Sequence, residues 1–142
     1  MSDSHINRLK VAVLSGGIGS ERQVSLLSGQ TIHASLQEAG IKTVLSDITP
    51  DDTRILDDTT IDVFFLALHG QFGEDGGIQT LLEQRKLAFT GSGAEASRIA
   101  FDKVESKIAF ASAGITVPKQ IIVTPQDTEQ TLLKKLAAFS GR

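Results

Sequence analysis

Apolar residues in this chain come in short solid blocks, separated by glycine-rich turns and by stretches of helical period. That pattern predicts alternating strands and helices. The first block, 9–14 (LKVAVL), is β-branched, closes on Ser15-Gly16-Gly17 and reads as a buried strand. Over 23–39, Val24, Leu27, Thr31 and Ala34 share one helical face, overlapping a second of Leu27, Ile32, Leu36 and Ala39. Gly40 is a natural stop, and Ser20 with Gln23 has the spacing of a capping box, so a helix is expected to start close to Glu21.

A second strand is expected at 41–45, ending at Ser46-Asp47, followed by a polar connection over 49–60 with one helical turn around Ile55 and Leu56. The most hydrophobic block, 61–68 (IDVFFLAL), does not alternate, which predicts a central parallel strand covered on both faces. It runs directly into HGQFGEDGG. A short helix follows at 77–84, a brief strand at 86–89, and then Thr90-Gly91-Ser92-Gly93. The Ala-rich segment 94–113 reads as one helix, the longest of the chain, with Ser92 and Glu95 in capping-box spacing and Gly114 as its end. After Pro118 a strand is expected at 120–123 and a helix at about 128–139, capped by Asp127.

Strands and helices in alternation predict a doubly wound α/β fold, a mostly parallel sheet with helices on both faces. Ligands of such folds gather at the carboxyl ends of the strands, where the glycine-rich segments 15–19, 69–77 and 90–93 fall. The final strand and helix either complete this sheet or open a second domain that the chain does not finish.

Composition narrows the picture. The 142 residues suit one domain with its own core; 40% are hydrophobic and 22% charged, a globular balance. A formal net charge of -3, with no extended Lys/Arg cluster, gives no footprint for nucleic acid or an anionic membrane surface. Absence of Cys excludes disulfides, thiolate metal sites and a Cys nucleophile. No apolar stretch approaches the roughly 20 residues that span a bilayer, and segment 1–10 lacks the apolar heart of a signal peptide. Cytoplasm is the simplest address.

Chemistry concentrates at the three glycine segments. In SGGIGSE the backbone N–H groups of a helix start face an anion, but a dinucleotide fingerprint needs a third glycine where Arg22 stands. Asp47, at the end of the second strand, would suit a ribose reader if that fingerprint were complete. Glu21 either complements the helix dipole or holds an ammonium group at the sheet edge. His69 is either a donor or base toward a carboxylate or phosphoryl oxygen, or a structural hydrogen-bonding group. Glu74 and Asp75 are expected to accept hydrogen bonds from loop amides or to cap the next helix. Lys103 and Lys107, four apart, share a helical face and are either a solvated row or, at Lys103, a phosphate contact. No nucleophile elbow is present, and Ser15, Ser20 and Ser25 read as turn and cap groups.

Four segments, VAVLSGGIGSERQVSLLSG at 11–29, LALHGQFGEDGGIQTLLE at 66–83, FTGSGAEASRIAFDKVESK at 89–107 and AGITVPKQ at 113–120, together resemble the start of the D-alanine–D-alanine ligase family. The resemblance implies a Rossmann-like pre-ATP-grasp domain over 1–117, with 118–142 opening a central ATP-grasp domain. It further implies an ATP- and magnesium-dependent ligase that joins two D-alanines through a D-alanyl phosphate for peptidoglycan. By position, Glu21 resembles the carboxylate that holds the first D-alanine's ammonium, and His69 the residue beside its carboxylate and the acylphosphate. Gly17 resembles part of the family's substrate-binding turn, and Lys103 resembles a contact to ATP phosphates. Magnesium ligands are expected beyond residue 142, with none in this chain, so the fragment alone should not turn over. The family also implies a homodimer.

Three departures from the family pattern stand out: Gly19 in place of serine, Thr80 in place of glycine, and Gln71-Phe72 where a small or basic pair is usual. Related ligases making D-alanyl-D-lactate or D-alanyl-D-serine share this domain. A non-catalytic small-ligand-binding or dimerisation module is the alternative of a different class.

Overall fold

A computed structural model describes residues 8–140, so the first part of the polar segment 1–10 and the terminal Gly141-Arg142 lie outside the described residues. Two compact units divide it, one up to Ser106 and one from Lys107 on.

The first unit is built on three parallel strands, β1 (Lys10–Gly16), β2 (Lys42–Ile48) and β3 (Val63–Leu66), in the order β2-β1-β3. Lys10 pairs with Lys42 and Gly16 with Ile48 on one side of β1; Val11 pairs with Val63 and Leu14 with Leu66 on the other. The expected central strand is therefore not 61–68. β1 holds the middle, and β3 beside it is shorter than its apolar run. Ala67 and Leu68 are buried beyond the last ladder pair, so that run records burial more than pairing. The expected strand at 86–89 is reduced to one parallel bridge, Phe64 with Phe89.

Helix α1 (Arg22–Glu38) joins β1 to β2 and packs against both. It lies on the face of β1 that carries Ser15, since a Cβ on Gly29 would fall 2.4 Å from the Ser15 Cβ. Helix α2 (Gly77–Gln84), at the bounds expected of it, covers the opposite face: its Ile78 and Leu82 are buried in one cluster with Ala12, Leu14, Phe64 and Phe72. The doubly wound arrangement thus holds. A 3-10 turn at Arg54–Asp57 buries Leu56 in the same cluster, at the helical turn read from Ile55 and Leu56.

The long helix expected over 94–113 is two helices, α3 (Ala94–Phe101) and α4 (Lys103–Ser112), and α1 with 17 residues is longer than either. Asp102 makes the break. Its backbone turns extended (φ -80°, ψ 113°) and its Oδ1 accepts from the N–H groups of Val104 and Glu105 at 2.8 and 2.9 Å, capping α4. The Ser92–Glu95 box is not made either. Glu83 Oε1 accepts from Ala94 N–H, and Glu95 pairs with Arg98.

In the second unit, Gly114 takes φ +77° and ends α4 as expected. The strand expected at 120–123 is absent: no described residue pairs with it, and Ile122 and Val123 are exposed. A β-branched run becomes a strand only when a partner strand satisfies its backbone. Helix α5 (Glu129–Ser140) starts as expected, but Thr128 is the residue whose hydroxyl accepts from Thr131 N–H. Asp127 instead accepts from Thr124 N–H and pairs with Lys135 at 2.7 Å. No described helix is long and apolar enough to cross a membrane.

Candidate functional site

The site grows from the turn after β1. Gly16, Gly17 and Gly19 take φ of +99°, +78° and +84°, a left-handed path that only glycine follows without strain. At Gly16 the space is also filled: an added Cβ would fall 2.7 Å from Arg22 Nη1 and closer still to Asp47 Oδ1. Those two side chains form a bidentate pair, Nη1 to Oδ1 at 2.8 Å and Nη2 to Oδ2 at 2.6 Å, and Arg22 Nη1 also donates to the Gly17 carbonyl at 3.2 Å. The hydrogen bonds from Arg22 hold the Asp47 carboxyl below the ordinary aspartate range. Both carboxylate oxygens are therefore tied to Arg22. The residue that breaks the dinucleotide fingerprint is the one that occupies the acid.

α1 continues from this turn with a polar stripe. Glu21 is its N-cap residue, without a side-chain capping bond, so the expected Ser20–Gln23 box does not form. Ser25, one turn on, is fully buried; its hydroxyl accepts from Gly16 N–H at 2.8 Å and donates to the Ala67 carbonyl at 2.9 Å. Ser28 Oγ lies 3.0 Å from His69 Nε2. Positions 21, 25 and 28 fall at the i, i+4, i+7 spacing of a single helical face. The apolar face expected from Val24, Leu27, Thr31 and Ala34 is outside, with Val24 55% and Leu27 63% exposed. Of the second expected face, Ile32 and Leu36 turn inward beside Ser25 and Gly29 while Leu27 and Ala39 are exposed, and Gly29 meets Ser15 too closely for any larger residue.

The loop after β3 completes the site. Gly70, at φ +67°, lies against Glu21: a Cβ there would stand 2.8 Å from Glu21 Oε2. Glu74 Oε2 accepts from Gly70 N–H at 2.8 Å, and Asp75 Oδ1 from Gly77 N–H at 2.9 Å, the structural roles expected of both acids. Glu74 Oε1 is 4.0 Å from His69 Nδ1. The buried Gln79 donates from Nε2 to the Gly73 carbonyl at 2.7 Å, tying the loop to α2. Phe72 takes φ +70°, which a side chain of its size rarely adopts, and its buried ring in the core cluster offsets that strain. An added Cβ at Gly17 would sit 3.3 Å from Leu68 Cδ2, so the first turn closes on this loop.

Gly17, Glu21 and His69 thus meet on adjoining loops at the carboxyl ends of β1 and β3. Lys103 belongs to another element, opening α4 with its side chain exposed. Thr90 reaches back from the third segment, its hydroxyl accepting from Leu66 N–H at 3.1 Å. Among the described residues no group of three or more His, Cys, Asp or Glu is placed to hold a metal ion. The sequence reading missed Ser28, whose signal was its seven-residue distance from Glu21, about two helical turns.

Comparison with known proteins places these loops in context. The family described as "D-ala D-ala ligase N-terminus" matches residues 52–92. A D-alanine–D-alanine ligase of Citrifermentans bemidjiense is 44% identical over 123 residues, covering 86% of this chain and 40% of that protein. One from Cereibacter sphaeroides is 45% identical over 120 residues, covering 84% and 39%. Among solved structures, the D-alanine–D-alanine ligase from Bacillus anthracis complexed with ATP superimposes with a TM-score of 0.75 at 34% identity, over 90% of this chain and 44% of that one. The chain spans about two fifths of the length of the curated relatives it matches.

Proposed function

We propose, for a chain that belongs to the D-alanine–D-alanine ligase family and corresponds to its amino-terminal region, that it forms the wall that receives the first D-alanine in an ATP-dependent ligase. The observation that carries this reading is the seat of the Glu21 carboxylate against Gly70, beside His69, at the edge where the strands end. A carboxylate there holds an ammonium group, and a half-exposed imidazole next to it meets the carboxylate of the same small molecule. Glycine at 70 and 17 lets backbone and ligand approach closely, as a ligand the size of alanine requires.

In this reading His69 stabilises charge at the reacting carboxyl, and Glu21 contributes orientation. Lys103, an exposed ammonium, is the residue we assign to the nucleotide phosphates. ATP, when bound, supplies the phosphoryl group that activates the first D-alanine as D-alanyl phosphate before the second amine attacks. Magnesium would be held by residues of the further domains, of which 118–142 would be the opening, and the chain alone would not turn over. Peptidoglycan synthesis in the cytoplasm is the setting this implies. Val24 and Leu27 leave α1 with an apolar outer face that a second copy or another domain would cover, in keeping with a homodimer.

The test is a coupled assay for ADP release on D-alanine, ATP and magnesium with the natural gene product that contains this segment. D-alanine-dependent release, reduced at least about 100-fold by Glu21→Gln or His69→Gln, is the expected result. No D-alanine dependence would leave a binding or association module, and dependence on D-lactate or D-serine as second substrate would move the assignment to the sister ligases.

A further inference from the structure

His69 has two different neighbours at its two ring nitrogens. Nε2 is 3.0 Å from the Ser28 hydroxyl, and Nδ1 is 4.0 Å from Glu74 Oε1. Glu74 is itself anchored, since its other oxygen accepts from Gly70 N–H at 2.8 Å. An ionised carboxylate only accepts. At 4.0 Å it repels a lone pair on Nδ1 and attracts an N–H, although the distance is too long for a hydrogen bond.

Ser28, like Ser25 before it, does not bond back to its own helix. Thr31 and Ser35 on the same helix donate back to the carbonyls of Leu27 and Thr31, each at 3.0 Å, and Ser112 does the same to Ile108 at 2.9 Å. That is the ordinary resting place of a hydroxyl inside a helix. Ser28 is turned instead onto His69. Its helix cannot slide away, because the next residue, Gly29, is pressed against Ser15, and one turn earlier Ser25 bridges Gly16 and Ala67.

We propose that Ser28 is a positioning residue: its hydroxyl donates to Nε2 while Glu74 faces Nδ1, so that neutral His69 is held as the Nδ1–H tautomer in one ring orientation. The second nitrogen of a functional histidine commonly sets its tautomer through such a partner. A ring fixed in this way presents its polar edge before a ligand arrives and needs no reorganisation when charge develops. This deepens the ligase reading and rests on it for its consequence. The tautomer itself is a property of the chain without substrate, so failure of either is seen separately.

The experiment is long-range proton–nitrogen spectroscopy of the imidazoles in the 15N-labelled 142-residue chain, at about pH 9 where imidazoles are neutral. His69 is identified as the signal lost in His69→Gln. The expected result is a protonated, pyrrole-type Nδ1 and a pyridine-type Nε2. Ser28→Ala should shift the population to Nε2–H, and Ser28→Thr, which keeps the hydroxyl, should restore the native pattern. A dominant Nε2–H form in the unaltered chain overturns the proposal. So does an unchanged tautomer ratio in a Ser28→Ala chain whose backbone amide spectrum is native. Should Ser28→Ala lose its amide dispersion, Glu74→Gln is read instead, and an unchanged ratio there overturns the proposal equally.

Discussion

Two helices cover the same sheet from opposite sides, and they do so by different physics. α2 presents Ile78 and Leu82, both fully buried, to the cluster around Leu14 and Phe64, and gains its stability from apolar area removed from water. α1 presents Ser25 and Gly29, and turns Val24 and Leu27 outward. Small residues bring its axis close to β1 and let a row of polar side chains reach the loops at both strand ends. The helix that carries Glu21 and Ser28 is therefore held by close approach and buried hydrogen bonds, and the helix that carries no assigned residue is held by grease.

That contrast is broken most strongly at Leu82. Leu82→Ala removes a side chain with no exposure and leaves a cavity in the core, so a loss of about 3 kcal/mol is expected in chemical denaturation. The tautomer of His69 and the Glu21–Gly70 contact should survive in the folded fraction. A loss below about 1 kcal/mol would mean that the apolar side is not what anchors the sheet.

Gly29→Ala sharpens it from the other face. In an ordinary helix this change stabilises by about 1 kcal/mol. Here the new methyl would meet Ser15 Cβ at 2.4 Å and Ser15 Oγ at 2.6 Å on β1, and Leu45 Cδ1 at 3.2 Å on β2. Overpacking of this kind costs about 1–3 kcal/mol, so the net expectation is a destabilisation of about 1 kcal/mol instead of a gain. An alanine that stabilises the chain would show that α1 is free to move outward. The positions of Glu21 and Ser28 would then be softer than their contacts imply.

The same contrast explains what was legible beforehand. α2 was read to its last residue because its signal is the one periodicity detects, apolar positions at helical spacing beside glycine stops. The parallel sheet and the three glycine turns at its carboxyl edge were equally plain. One of the two faces read on α1 was wrong because Val24 and Leu27 look like a core stripe, whereas the contact over its first turns is made by Ser25 and Gly29, with Ile32 and Leu36 of the other expected face farther along. The break at Asp102 was invisible for a related reason: the Ala-rich pattern continues across it, and only the carboxylate turning back on two amides ends one helix and starts the next. At 120–123 the β-branched run was present but no described partner pairs with it. Glu21 and His69 were named through the order of the motifs. Their meeting across Gly70, and Ser28 behind His69, are long-range contacts that local spacing does not encode.

The smallest effect expected concerns the Arg22–Asp47 pair, which fixes the turn feeding α1. Its carboxyl is held below the ordinary aspartate value, first by the hydrogen bonds from Arg22 and then by the charge of that guanidinium. A native acid with a depressed value contributes stability that is complete above the unfolded value, about 3.9, and is lost as pH falls through the native one. In that window the unfolded chain takes up the proton first, so stability declines with falling pH. Asp47→Asn should remove this share of the acid slope while leaving stability near neutral pH only modestly lower, because the pair is a third to a half exposed and screened. Asp52, held at about 2 by Arg54, keeps its own share in the same variant and is the internal reference. An acid slope unchanged by Asp47→Asn would mean that the pair does not hold the folded carboxyl below its unfolded value. The turn would then be positioned by its glycines alone, and α1 would owe its close approach to Gly29 and Ser25 without help from the ion pair.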